Sequence, residues 1–124
     1  MDLQIDIELQ GELLFVIARG RVRFHSVSRL LKQVWDTAAE RQVNKILVDS
    51  LATDGELAAF ERYDIGVEVA ADLIERGMNV KLAFVGVPRT MDGFGVRIAQ
   101  NRGVVTRLFS SRQEALSWLD ELPD

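Results

Sequence analysis

The sequence predicts an α/β fold in which a mixed sheet of four to five strands packs against about four helices. Two observations lead to this prediction. The N-terminal residues show two strand patterns joined by a glycine turn, and farther along the chain strand and helix patterns alternate. A strand, a helix and a second strand in succession form a right-handed crossover between parallel strands. We therefore expect an N-terminal antiparallel hairpin followed by βαβ units.

Length and composition limit the class of protein. The chain has 124 residues, of which 48% are hydrophobic and 27% charged, so we expect residues 1–124 to form a single folded domain. It contains no cysteine and one histidine, which excludes disulfide scaffolds, thiolate metal sites and histidine clusters. The formal net charge of −4 argues against nucleic acid as a partner. No signal peptide or transmembrane segment is evident, and we expect a cytoplasmic protein.

The N-terminal hairpin rests on two patterns. Residues 2–9 alternate between apolar and polar side chains, which is typical of a strand with one buried face. After a turn at Gly11, residues 13–18 form an apolar run that favours a central position in the sheet. The predicted buried face of the first strand comprises Leu3, Ile5, Ile7 and Leu9.

The pattern changes to a helical period after Ser26, which we expect to be the N-cap of the first helix. A short buried strand is predicted next, at residues 45–49. The predicted buried face of the first helix comprises Val27, Leu30, Leu31, Val34, Trp35, Ala38 and Ala39.

A second helix is predicted over residues 57–76, with Gly77 just beyond its end as a left-handed C-cap residue. Before it, Thr53 and Glu56 have the spacing of a capping box. The predicted buried face of this helix comprises Phe60, Tyr63, Val67, Ala70, Ala71 and Ile74.

Two shorter units complete the predicted sheet. A strand at residues 80–87 precedes a short helix with Thr90 as its N-cap. A last strand at residues 104–109 precedes a final helix that we expect Ser110 to cap.

Several segments resemble the SpoIIAA-like family of STAS-like domains, the fold of the anti-sigma-factor antagonists. They are ILVD at residues 46–49, FERYDIG at 60–66, DGFG and NRG within 92–103, and ALSWL at 115–119. The resemblance covers nearly the whole chain and implies a regulatory domain whose second helix and preceding loop contact a protein partner. Antagonists present a phosphorylatable serine in an Asp-Ser-Ser-Gly-like turn before that helix, where this chain instead reads SLATDGE.

A first candidate site lies at the carboxyl ends of the predicted parallel strands, where open α/β sheets place their ligands. Helix N-termini and arginines there would favour the binding of an anion. The anion could belong to a small ligand, to a partner or to a phosphorylated side chain of the loop itself. The candidates are Asp49, Ser50, Thr53, Asp54, Arg89 and Thr90, and at the last strand Ser110, Ser111 and Arg112. The alternative is that the hydroxyl side chains only cap helices and the arginines are solvated.

A second candidate site is a row of acidic side chains on one face of the second helix. Like charges at this spacing slightly destabilise a helix, so the row suggests a face for a charged partner or for self-association. The alternative is a solvated face. The row comprises Glu61, Asp64, Glu68, Asp72 and, beyond them, Glu75.

The sequence shows no nucleophile beside a base, no paired carboxylates and no phosphate-binding glycine motif. We therefore expect no catalytic residues, no cofactor and no metal site. The first interpretation is a non-enzymatic STAS-like regulatory domain that binds a protein partner or a second copy of itself. The alternative is a domain that binds a small apolar or anionic molecule.

Overall fold

The computed structural model describes residues 2–87 and 92–121. Within these ranges the elements are β1 (Gln4–Gln10), β2 (Leu13–Arg21), α1 (Phe24–Arg41), β3 (Lys45–Asp54), α2 (Ala59–Glu75), β4 (Lys81–Val85), α3 (Phe94–Asn101), β5 (Val105–Phe109) and α4 (Arg112–Asp120). The predicted alternation of strands and helices is confirmed.

The strands form one five-stranded mixed sheet in the spatial order β1-β2-β3-β4-β5. β1 is antiparallel to β2, with Ile7 opposite Val16. The other neighbours are parallel, so that Phe15 of β2, Leu47 of β3 and Ala83 of β4 lie side by side. The predicted hairpin and parallel crossovers are confirmed. β2 is an inner strand, as expected from its apolar run.

Helices cover both faces of the sheet. On one face α1, α2 and α3 pack around a core that includes the fully buried Trp35. On the other face α4 packs through Trp118. Side chains along each strand alternate between the two cores, so Ile46 and Val48 belong to the first and Leu47 to the second.

Three predicted helix caps are wrong by one to three residues. The N-cap residue of α3 is Gly93 rather than Thr90. Arg23 is the N-cap residue of α1, so Ser26 lies inside the helix. Ser111, rather than Ser110, caps α4, and its Oγ accepts a hydrogen bond from the Glu114 amide at 3.2 Å. Ser111 has the extended backbone of an N-cap (φ −141°, ψ 150°), which the composition of the segment alone does not reveal.

β3 is longer than predicted. It continues past Asp49 because β2 runs beside it, with Gly20 opposite Thr53. Thr53 therefore lies in a strand, and the predicted capping box at this position is wrong. The N-cap residue of α2 is Ala58, whose amide donates to Glu61 Oε1 at 2.9 Å.

In the N-terminal hairpin and the first helix, two residues predicted to be buried are exposed. Leu9 lies near the end of the β1 edge strand, and Ala39 lies on the outer side of the last turn of α1. The other apolar residues of β1 behave as predicted, because Leu3, Ile5 and Ile7 pack against the core.

Candidate functional site

The candidate residues at the carboxyl end of β3 lie within the strand rather than in a loop, so the predicted loop is wrong. Asp49 is 1% exposed, whereas Ser50 is 8% exposed and lines a cavity between the sheet and the helices. Thr53 Oγ1 donates a hydrogen bond to the carbonyl of Ser50 at 2.6 Å. Asp54 is exposed at the end of the strand. The four residues therefore do not form one ligand-binding loop.

Both oxygens of the buried Asp49 carboxylate accept a hydrogen bond. Arg112, at the start of α4, donates from Nε to Asp49 Oδ2, and the Leu51 amide donates to Oδ1 at 2.9 Å. The Arg112 guanidinium also lies 5.4 Å from the centre of the Phe15 ring, within the range of a cation–π contact. The structure thus brings two predicted candidates together, and their contact joins α4 to the sheet.

The candidates Arg89 and Thr90 lie outside the described residues. α3 begins at Phe94, and its N-cap residue is Gly93 in the left-handed region (φ 86°). A role for Arg89 or Thr90 in ligand binding therefore stays a prediction.

A cavity of about 110 Å³ lies between the first face of the sheet and the helices that cover it. Most of its wall is apolar, and Ser50 and Arg62 are among the few polar residues on it. Arg62 forms an ion pair with Asp92, with 3.1 Å between Nη1 and Oδ2, while no residue that the structure describes accepts a hydrogen bond from its buried Nε. Arg62 is not among the candidates expected from the sequence, although a lone base among the acids of α2 is a signal that could have identified it.

α2 carries an apolar stripe on its outer side, which we define as Phe60, Tyr63, Val67, Ala71 and Ile74. Val67 is half-buried and the other four residues are exposed. The exposed fraction is 70% for Phe60, 41% for Tyr63 and 68% for Ile74. The prediction that this face is buried is therefore wrong for four residues, whereas Val67 is half-buried and Ala70 is buried. The helix instead buries a neighbouring face, comprising Gly66, Val69, Ala70 and Leu73.

The acidic row of α2 is divided between two environments. Toward α1, Lys32 Nζ lies 3.2 Å from Asp72 Oδ2 and 3.9 Å from Glu68 Oε1. Ser28 Oγ donates to Glu68 Oε1 at 3.3 Å. The alternative of a solvated face therefore does not hold for Glu68 and Asp72, because both carboxylates help to join α2 to α1.

The other members of the acidic row do not contact α1. Glu61 accepts the hydrogen bond from Ala58 at the start of the helix. Asp64 and Glu75 are exposed and form no ion pair with any residue that the structure describes. These two carboxylates are the part of the row that is available to a partner.

Two kinds of feature are absent from the described ranges, 2–87 and 92–121. No helix there is both long and apolar enough to cross a lipid bilayer. No group of three or more acidic or histidine side chains there is arranged to hold a metal ion.

Comparison with solved structures establishes the fold. The chain is similar to an anti-sigma factor antagonist from Mycobacterium paratuberculosis, with a TM-score of 0.67 and 14% identity over 97% of this chain and 96% of that one. It is also similar to an uncharacterized DUF3478-family protein with a SpoIIAA-like fold from Shewanella loihica PV-4, with a TM-score of 0.54 and 20% identity over 95% and 94% of the two chains. No protein-family model and no curated protein sequence matches the chain. The fold is SpoIIAA-like, as the sequence resemblance implies.

Proposed function

We propose that this SpoIIAA-like domain is a non-enzymatic cytoplasmic regulator that binds a protein partner through the outer surface of α2. The observation that carries the proposal is the exposure of the apolar stripe, with Phe60 and Ile74 at its two ends. A contiguous exposed apolar surface is typical of a protein interface. The structural similarity to an anti-sigma factor antagonist supports a regulatory role.

The composition of the stripe supports the same proposal. Aromatic side chains supply much of the free energy of protein association, and Phe60 and Tyr63 lie in the first turns of α2. Arg102 Nη2, at the end of α3, lies 3.3 Å from Tyr63 Oη and donates to it. This contact holds the tyrosine ring at the edge of the stripe, so a partner would meet a partly ordered surface.

Affinity capture with paired variants tests the proposal. The tagged chain and a Phe60→Ser/Ile74→Ser variant are used to capture proteins from a lysate of the native host. A Leu9→Ser/Val105→Ser variant is the matched control, since both of its residues are exposed apolar side chains away from α2. We expect a stoichiometric partner with the wild-type chain and the control, and at least about tenfold weaker binding when Phe60 and Ile74 are replaced. Equal capture by all three proteins, or no partner at all, contradicts the proposal.

A second candidate function is the binding of a small apolar or anionic molecule in the cavity. Its volume of about 110 Å³ is of the order of an engineered protein cavity that admits benzene. Ser50 could donate a hydrogen bond to the polar end of such a molecule.

Native mass spectrometry tests this second candidate. The chain is purified from its host beside an Ala18→Leu variant, whose larger side chain extends from the cavity wall. We expect a bound small molecule in the wild-type protein and none in the variant, with both proteins folded by circular dichroism. A wild-type protein without any bound molecule contradicts this candidate function and leaves the partner-binding proposal unaffected.

A further inference from the structure

We infer that the segment bound by α2 is a basic amphipathic helix, which lies along the apolar stripe and places its cationic side chains against Asp64 and Glu75. This inference rests on the proposed function and specifies the chemistry of the partner. It follows from the shape of the stripe, the position of the free carboxylates and the charge that surrounds them.

The shape of the stripe fits another helix. Its members recur every three or four residues along α2 from Phe60 to Ile74, which corresponds to about 21 Å of helix. Apolar side chains at this spacing form a nearly straight ridge that the side chains of a second helix can straddle. A partner helix of about four turns would cover the ridge completely.

The charge beside the stripe identifies the partner as basic. Asp64 lies next to the aromatic end of the stripe and Glu75 next to Ile74, so each end has one carboxylate that forms no ion pair with a described residue. A partner helix would partly dehydrate both groups, which is unfavourable unless cations pair with them. Lys32 already engages Glu68 and Asp72, in the middle of the row. Lysine or arginine residues of the partner are therefore needed mainly at the two ends.

A second copy of the chain fits this surface less well. In an antiparallel pair of α2 helices, the acidic rows of the two copies would face each other, and like charges repel. The net charge of −4 opposes any such pairing further. An external basic helix would instead bring cations to the acidic side of the stripe.

Two synthetic peptides of equal length, each with the same leucine stripe, provide the test. One carries lysine and the other glutamate at the positions beside the stripe, and binding is measured by fluorescence anisotropy at two salt concentrations. We expect the lysine peptide to bind and the glutamate peptide not to bind. Added salt should weaken the lysine complex, because exposed charges are screened within about 10 Å at 0.1 M.

Charge-reversed variants show whether the binding occurs on α2. Asp64→Lys/Glu75→Lys should weaken binding of the lysine peptide by about three- to thirtyfold, as expected for the loss of two exposed ion pairs. Glu12→Lys/Glu40→Lys changes the net charge equally at exposed positions outside α2 and should have little effect. Equal weakening by both variants, or equal affinity for both peptides, overturns the inference.

The outcomes separate this inference from the proposed function. If partner capture depends on Phe60 and Ile74 but not on Asp64 and Glu75, the basic-helix inference is wrong and the proposed function stands. If capture does not depend on Phe60 and Ile74, the proposed function itself is wrong. A dimer in sedimentation that Phe60→Ser abolishes would assign the stripe to a second copy and overturn the inference.

Discussion

Arg112, the first residue of α4, donates a hydrogen bond from Nε to the buried carboxylate of Asp49 in β3. This ion pair fixes the first turn of α4 on the sheet. Trp118 packs in the last turns of the helix, and its ring centroid lies 4.7 Å from Lys81 Nζ of β4. The position of α4 on the sheet thus depends on contacts at both ends of the helix.

Arg112→Ala should lower the free energy of unfolding by about 1–3 kcal/mol, because the buried Asp49 carboxylate loses a charged partner that is itself half exposed. Urea unfolding followed by tryptophan fluorescence measures the change. Arg97→Ala is the control, since this arginine is exposed and forms no ion pair with the residues in 2–87 or 92–121. Adding Asp49→Asn to Arg112→Ala should restore part of the loss, and an Arg112→Ala midpoint equal to wild type would show that the pair contributes nothing.

The exposure of Phe60 predicts that its removal has little effect on stability, whereas the burial expected from the sequence would predict a large loss. Phe60→Ala should change the free energy of unfolding by less than about 0.5 kcal/mol, because the ring lies mostly in solvent. Leu73→Ala, on the buried face of the same helix, should cost about 2–5 kcal/mol. Urea midpoints compare the two variants, and a large loss for Phe60→Ala would show that the ring is enclosed.

The ion pairs of Lys32 with Glu68 and Asp72 predict that reversing the charge of these two acids destabilises the protein. Glu68→Lys/Asp72→Lys should lower the free energy of unfolding by about 1–2 kcal/mol, because both new cations face Lys32. Asp64→Lys/Glu75→Lys should change the free energy of unfolding little, since neither carboxylate forms an ion pair with α1. At position 75, in the last turn of α2, a cation interacts favourably with the helix dipole. Thermal unfolding at low salt measures both effects. Adding Lys32→Glu to the first variant should restore stability, and no restoration would argue against the ion pairs.

α2 and α3 approach each other closely at Gly66. Replacing this glycine with alanine should therefore destabilise the protein, although helix propensity alone predicts stabilisation. A Cβ on Gly66 would lie 2.6 Å from the Gly95 carbonyl oxygen and 2.8 Å from Ile98 Cβ. Gly66→Ala should therefore destabilise the protein by about 1–3 kcal/mol, although alanine is favoured over glycine in a helix by about 1 kcal/mol. Gly95→Ala, whose Cβ would lie 3.1 Å from the Arg62 carbonyl oxygen, should cost less. A Gly66→Ala protein with a raised melting temperature would show that the helices can separate freely.

Local patterns were sufficient for the elements and their order. The alternation in β1, the apolar run of β2 and the helical period of α1 each reflect a single buried face, so the pattern identifies both the element and its orientation. Helix caps were predicted less well, because the N-cap residues of α1, α2 and α3 are Arg23, Ala58 and Gly93 rather than serine or threonine, while two adjacent serines precede α4. The backbone conformation decides which of them becomes the cap, as at Ser111.

The candidate site could be predicted only in part from local sequence patterns. Asp49 and Arg112 were both selected from sequence, but as members of ligand-binding loops. Their pairing and the burial of Asp49 depend on where α4 packs on the sheet. Arg62 acquires its place on the cavity wall only because α2 and α3 close over the sheet beside it.

The sequence by itself determined that this chain forms an N-terminal hairpin, parallel crossovers and amphipathic helices, because these follow from the period of its apolar residues. α2 is different, since it has two adjacent apolar faces with the same helical period. Only the tertiary structure decided between them. Gly66 allows α3 to approach one face closely, and Lys32 of α1 holds the acidic side of the helix. The other face, with Phe60 and Ile74, is left in solvent because no described element remains to cover it.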